Sequence, residues 1–216
     1  MGYGFQVEVW GDYALFSRPE LKTERMSYEV MTPSAARGLI ESIYWHPGLQ
    51  IKIDRIYVLN QIQYTNIRRN EVKSKASLQK VKQMMSGAPA PMIVASNDIM
   101  QRASLILRDV HYVLDAHFEI TEKASPSDNE GKFKDIFRRR LEKGETYSQP
   151  YFGCREFPAN FRAWKGGRVP TCGETKNLGL MLYDMDYSDP ENIKPMFFMA
   201  ILEDGVMQIA GEKVLT

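Results

Sequence analysis

VHYVLDAHFEI, residues 110–120, alternates without a break. Val110, Tyr112, Leu114, Ala116, Phe118 and Ile120 share one face, and His111, Val113, Asp115, His117 and Glu119 share the other. This pattern predicts a strand with one face on a core. A linker, TEKASPSD (121–128), leads into NEGKFKDIFRRRLEK (129–143). There Phe133, Ile136, Phe137 and Leu141 recur at spacings of three and four, which predicts a helix with one apolar side. Its other side carries Lys132, Lys134, Arg138, Arg139, Arg140 and Lys143 against Asp135 and Glu142. A packed helix with a cationic outer surface points to a polyanionic partner. The three consecutive arginines span too many helix directions to meet one ligand, so at least one is expected to be structural. In the loop that follows, Gly153, Cys154 and Arg155 read as a phosphate-contacting turn or as a simple strand bend.

Towards the N-terminus, Phe5, Val7 and Val9 alternate with Gln6 and Glu8, predicting a strand over 5–10. Residues 11–31 lack sustained periodicity and read as a long charged connection. Thr32-Pro33 is a helix start, with Thr as N-cap and Pro at the first helical position. Ala36, Leu39, Ile40 and Ile43 form the buried stripe, and Pro47-Gly48 ends the helix near Tyr44-Trp45-His46. IKIDRIYVLN (51–60) reads as a second strand whose apolar phase shifts near Asp54-Arg55, the signature of a bulge. IRRNEVKSKASLQKVKQMM (67–85) is expected to hold a hairpin arm and a short helix, and GAPAPM (87–92) a loop.

To about residue 160 the order is strand, helix, strand, strand, helix, strand. This predicts an α+β fold: a ferredoxin-like (RRM-like) βαββαβ domain over 1–160. Residues 161–216 are expected to form a small antiparallel β domain, with a strand at 178–187 and a hairpin in MFFMAILEDGVMQIA turning at Glu203-Asp204-Gly205.

The composition narrows the function. The chain has 216 residues, 44% hydrophobic and 25% charged, which is ordinary for a globular protein. No apolar run approaches the roughly 20 residues a membrane helix needs. The N-terminal MGYGFQVEVWG lacks a signal-peptide core, and the expected location is cytoplasmic. Cys154 and Cys172, without CxxC spacing, are expected to be free thiols. Net charge is only +1, but it is unevenly spread. Arg68, Arg69, Lys73, Lys75, Lys80 and Lys82 stand against Glu71, while the tail from Asp184 is acidic. His111 and His117 lie six residues apart on one strand, about 20 Å, too far to share an ion. HExxH, EF-hand, P-loop, GxGxxG and GxSxG motifs are all missing, so neither a metal nor a cofactor is expected.

RNA cleavage needs neither. A ribose 2′-OH can attack its own phosphate if its proton is removed, the non-bridging oxygens are held by cations, and the leaving 5′-oxygen is protonated. His, Tyr and Lys can fill these roles.

VWGDYALFSRPELKTERMSYEVMTPSAARGLIESIYWHP, the NEGK…DIFRRR helix and FGCREF together resemble the CRISPR-associated Cas-five family, subtype I-C (the d or c variant). The resemblance spans nearly the whole chain. It implies a metal-independent endoribonuclease that cuts the repeat hairpins of precursor CRISPR RNA. The enzyme would then stay on the 5′ handle of the crRNA as a subunit of the type I-C interference complex. It also implies a catalytic Tyr in the block holding Tyr44, a Lys at Lys132, and a His at the next position, where this chain has Phe133. Phe cannot transfer a proton. His46 could replace the missing imidazole, cleavage could rest on Tyr44, Lys132 and positioning, or the protein could be a non-catalytic crRNA-binding subunit. An RRM-like RNA-binding module outside CRISPR systems is the blander alternative. Arg68, Arg69, Lys73, Arg138, Arg139 and Arg155 are the expected grips on the RNA backbone.

Overall fold

The computed structural model describes residues 3–21, 23–89 and 93–215. Among these residues nine strands and three α-helices follow in the order β1 (Tyr3–Ala14), β2 (Arg25–Met26), α1 (Pro33–Ile43), β3 (Leu49–Val58), β4 (Tyr64–Val72), α2 (Leu78–Met85), β5 (Ile99–Ile120), α3 (Glu130–Lys143), β6 (Asn160–Ala163), β7 (Lys176–Asp186), β8 (Lys194–Glu203) and β9 (Val206–Gln208). One sheet runs β6-β1-β5-β3-β9-β8-β7, with β2 and β4 also paired to β5. Of the loop expected at 87–92, Ala90, Pro91 and Met92 lie outside the described residues.

The predicted strand at 110–120 is the second half of β5, which starts at Ile99. Its pairings show why it organises the chain. Phe118 lies between Tyr3 of β1 and Ile51 of β3, and Leu114 lies between Val7 and Ile56. The first half pairs instead with β4, from Val72↔Ile99 to Tyr64↔Leu107. At the changeover Asp109 has φ 53°, and its carbonyl accepts a hydrogen bond from Asn60 Nδ2 at 2.9 Å. The bulge expected in β3 lies between Ile53 and Arg55. The C-terminal hairpin turns where the sequence predicts, at Asp204-Gly205, and β9 then pairs with β3, extending the same sheet.

The apolar sides of β1, β3 and β5 meet α1 and α3 in a core that includes Val7, Val9, Ile40, Ile43, Ile56, Leu114, Phe118, Phe133 and Phe137. α1 begins as its sequence dictates: Thr32 Oγ1 accepts from Ala35 N at 3.2 Å. α3 is capped by Asn129, whose side chain accepts from Lys132 N at 2.9 Å, and is closed by Gly144 in the left-handed region at φ 67°. Among the described residues no helix is long and apolar enough to cross a membrane.

Candidate functional site

The C-terminal end of α1 and the N-terminal end of α3 meet beside the last turns of β5, and Phe133 is the point of contact. Its side chain is fully buried. Its ring centroid lies 5.0 Å from His46, 6.3 Å from Tyr44 and 6.4 Å, edge-on, from Phe118. Phe133 is thus the core residue that its place on the apolar side of α3 predicts, and it collects two of the nominated catalytic side chains around it. Lys132 precedes it and faces solvent.

Tyr44 leaves α1 in an extended conformation, φ −147° and ψ 119°. Its ring is buried, and the guanidinium of Arg140 lies 5.1 Å from its centroid. Arg140 Nη1 also donates to Ile43 O at 2.7 Å. Arg140 is therefore the structural member of the arginine triplet, fixing the end of α1. Burial pushes the Tyr44 phenol above its ordinary pKa; the positive charges of Arg140 and Lys132 oppose that rise. The group is a neutral phenol at physiological pH, suited to donating a hydrogen bond rather than accepting a proton.

His46 is oriented by its own turn. Gly48 N donates to Nδ1 at 3.0 Å, so the neutral ring carries its proton on Nε2. Nε2 faces Asp128 Oδ2 at 4.0 Å. Gly48 permits this docking: a Cβ there would stand 2.8 Å from Ala124 Cα. Thr121 ties the linker down, donating from N to Gly48 O at 3.0 Å and from Oγ1 to Pro47 O at 2.9 Å.

Asp128 is the residue that sequence reasoning missed. Its side chain is 2% exposed. Oδ1 accepts from Lys132 Nζ at 2.7 Å, and Oδ2 accepts from Ser125 N at 2.8 Å. The hydrogen bond from Lys132 is the largest influence holding its carboxyl at a pKa of about 2, helped by Ser125 and opposed by burial. Asp128 therefore remains ionised between an ammonium and an imidazole. A carboxylate four residues before a helical lysine was the available signal, hidden in a linker rich in Ser and Pro.

The other nominated residues are spread out. Arg68 and Lys73 are exposed on or beside β4. Arg69 is largely covered, bound to Glu156 and donating from Nη2 to Ser104 Oγ at 3.0 Å. Through Glu156 this group adjoins the exposed Arg155. Arg69 pairs with Arg102 of β5, sixteen residues before Phe118, so this cluster and the group around Tyr44 and Lys132 lie towards opposite ends of β5. On α3, Arg138 is exposed and 3.2 Å from Asp135, and Arg139 is exposed. His111 and His117 stand apart, each with its own carboxylate: Glu8 at 2.8 Å and Asp54 at 2.8 Å. Arg162 also binds Glu8. These are closed ion-pair networks on the sheet face away from α1 and α3. Both cysteines are free.

Comparison with known proteins places the chain in a family. A sequence model described as "CRISPR-associated protein (Cas_Cas5)", of the Cas5d type, matches residues 4–209. The chain is 40% identical over 217 residues to a protein of Mannheimia succiniciproducens named "CRISPR pre-crRNA endoribonuclease Cas5d", covering 97% of this chain and 96% of that one. A protein of the same name from Thermus thermophilus is 37% identical over 225 residues, covering 96% and 92%. Among solved structures, one described as a CRISPR-associated protein superposes with a TM-score of 0.71 at 23% identity, covering 100% of this chain and 97% of that chain. A chain from a "CRISPR RNA-guided surveillance complex" gives 0.51 at 12% identity, covering 99% and 89%. The two structural likenesses concern the fold. The match over almost the full length, together with the two relatives, shows that the chain belongs to the CRISPR-associated Cas5 family, in its Cas5d branch of subtype I-C.

Proposed function

We propose that this protein is a pre-crRNA endoribonuclease that cuts repeat hairpins through the ribose 2′-OH, without a metal, leaving a 2′,3′-cyclic phosphate. It then stays on the 5′ handle as a cytoplasmic subunit of the type I-C interference complex. The observation that carries this reading is the packing of Tyr44 and His46 on Phe133, with Lys132 joined to His46 through Asp128. Lys132 lies about ninety residues from the Tyr44–His46 segment in sequence, and the two relatives bearing the endoribonuclease name are similar over nearly the whole chain. In this reading the Lys132 ammonium stabilises charge on the phosphate. The Tyr44 phenol donates to and aligns the reacting ribose. His46, whose Nε2–H faces Asp128, supplies the hydrogen-bond donor that Phe133 cannot. As the 2′-oxygen–phosphorus bond forms, the 2′-OH proton passes to solvent, and as the phosphorus–5′-oxygen bond breaks, the 5′-oxygen takes a proton from solvent. Asp128 holds Lys132 and His46 in place and is a positioning residue.

The finer architecture belongs to the same proposal. The strand order β6-β1-β5-β3, with α1 and α3 in mutual contact, supports a ferredoxin-like unit whose last strand, β6, carries it to Ala163, just past the expected boundary at 160. The mutual pairing of β7, β8 and β9 supports a small β unit within the expected 161–216 range, from Lys176 to Gln208.

The test is incubation with the cognate repeat RNA in EDTA. One defined cut is expected; tight binding with no cut favours the second reading, a non-catalytic crRNA-binding subunit. That alternative draws on two observations: Lys132 is already engaged by Asp128, and no titratable group occupies position 133. His46→Ala discriminates further. It is expected to slow the single-turnover cut by about 10²-fold, the lower end of what a positioned proton-handling group contributes. Cutting at the wild-type rate would remove His46 from the mechanism.

A further inference from the structure

Between Tyr44 and His46 stands Trp45, and its side chain goes the other way. Tyr44 and His46 both turn to Phe133, while the Trp45 ring lies beside Tyr147, with centroids 6.4 Å apart and planes 35° apart. This is the alternation expected of an extended segment. Trp45 is 51% exposed and Tyr147 is 69% exposed. Two large aromatic rings standing side by side in solvent form a surface that apolar burial does not explain. Both are nevertheless held firmly. Ser42 O accepts from Tyr147 N at 2.8 Å and from Ser148 N at 3.0 Å, and Tyr44 N donates to Ile40 O at 3.1 Å, so the end of α1 fixes both backbones.

We infer that Trp45 and Tyr147 form a stacking platform for one unpaired nucleobase of the RNA, next to the cut. The inference rests on the nuclease reading above and deepens it. A base offers a flat π-face to aromatic rings whatever its identity, and such stacking is the usual way proteins hold unpaired RNA. The reaction supplies the reason for a platform at this place. Attack by the 2′-oxygen requires the 2′-oxygen, the phosphorus and the 5′-oxygen to lie in line. Regular stacking of consecutive nucleotides keeps them out of line, so the two nucleotides flanking the cut must splay apart. Trp45 is one residue from both Tyr44 and His46 but faces the opposite side of the same segment. A base held on Trp45 and Tyr147 is thereby drawn away from its neighbour while the phosphate remains near Tyr44, His46 and Lys132. The platform selects a flat, unpaired base and does not read its identity.

The experiment uses the cognate repeat RNA made uncleavable by a single 2′-deoxy substitution at the nucleotide whose 2′-oxygen would attack, with 2-aminopurine placed singly at each unpaired position. Binding of the wild-type protein is expected to change the fluorescence strongly at one position beside the cut. Trp45→Ala and Tyr147→Ala are expected to abolish that change and weaken binding about 5- to 150-fold, the range for losing one stacked base. Trp45→Phe should restore most of both. Because both side chains are exposed, the variants should keep the wild-type melting temperature. If no position responds in a way that depends on Trp45 and Tyr147, or if the double variant binds within twofold of wild type, the platform is refuted, even where cleavable RNA is cut normally. A response dependent on the two rings in a protein that never cuts cleavable RNA would leave the platform standing and overturn the nuclease reading instead.

Discussion

Lys132→Ala is expected to slow the single-turnover cut of the cognate repeat RNA by about 10²- to 10³-fold, the usual loss when one charge-stabilising donor is removed from a reacting oxyanion. RNA affinity should change by less than about threefold, because a single exposed lysine adds little to a surface with many other cations. The rate effect has two sources. The ammonium that faces the phosphate is lost. In addition, Asp128 loses the hydrogen bond that most favours its ionised form, and an unpaired carboxylate is left at the site, repelling the charge that develops on the phosphate. Lys132→Arg should recover only part of the rate, since a planar guanidinium cannot reproduce the point contact that Nζ makes with Asp128 Oδ1. Rate constants at saturating protein, measured beside filter-binding affinities, check this. A variant that binds poorly but cuts at the wild-type rate once bound would make Lys132 a surface grip.

Phe133→Ala is expected to destabilise the fold by about 3–5 kcal/mol, the range for removing a fully buried aromatic ring. Phe133 joins α3 to β5 through Phe118 and to the end of α1 through Tyr44 and His46, so the cavity would open where three elements meet. Phe133→His should cost less, about 1–3 kcal/mol, because ring shape is kept and the loss comes from ring nitrogens buried without partners. Urea unfolding followed by far-UV circular dichroism measures both. A loss near zero for Phe133→His would mean that the site has a partner for an imidazole at 133; equal losses would mean that keeping the ring shape contributes nothing.

Much of this was readable in the sequence where burial imposes a period. The second half of β5, the stripe of α1 and the apolar side of α3 each pack one face on the core, and their spacing shows it. The bulge at Asp54 was readable because an extra residue reverses the apolar phase. The arm expected within 67–85 is β4, but its start at Tyr64 and the first half of β5 were not readable, because the covered face of β4 is only half-buried and carries Arg69 and Glu71. The pairing of β9 with β3 joins segments about 150 residues apart in sequence, beyond any local pattern.

The site divides in the same way. Tyr44 and Lys132 were nominated through the family resemblance, and His46 through its nearness to Tyr44. The residues that set their geometry, Asp128, Gly48 and Arg140, act through contacts made only when the 46–49 turn docks on the 121–128 linker and α3 crosses the end of α1. Arg69 shows the opposite limit: it belongs to a basic run in sequence, yet in the fold it is bound to Glu156 and Ser104.

The most direct test of the central claim is the end group left on the RNA. The cognate repeat is incubated with the protein in EDTA, with and without a single 2′-deoxy substitution at the nucleotide whose 2′-oxygen would attack. The account predicts one cut ending in a 2′,3′-cyclic phosphate, lost on the 2′-deoxy RNA and slowed at least about 10²-fold by Lys132→Ala. Undiminished cutting of the 2′-deoxy RNA, or a product ending in a 3′-hydroxyl, would contradict it.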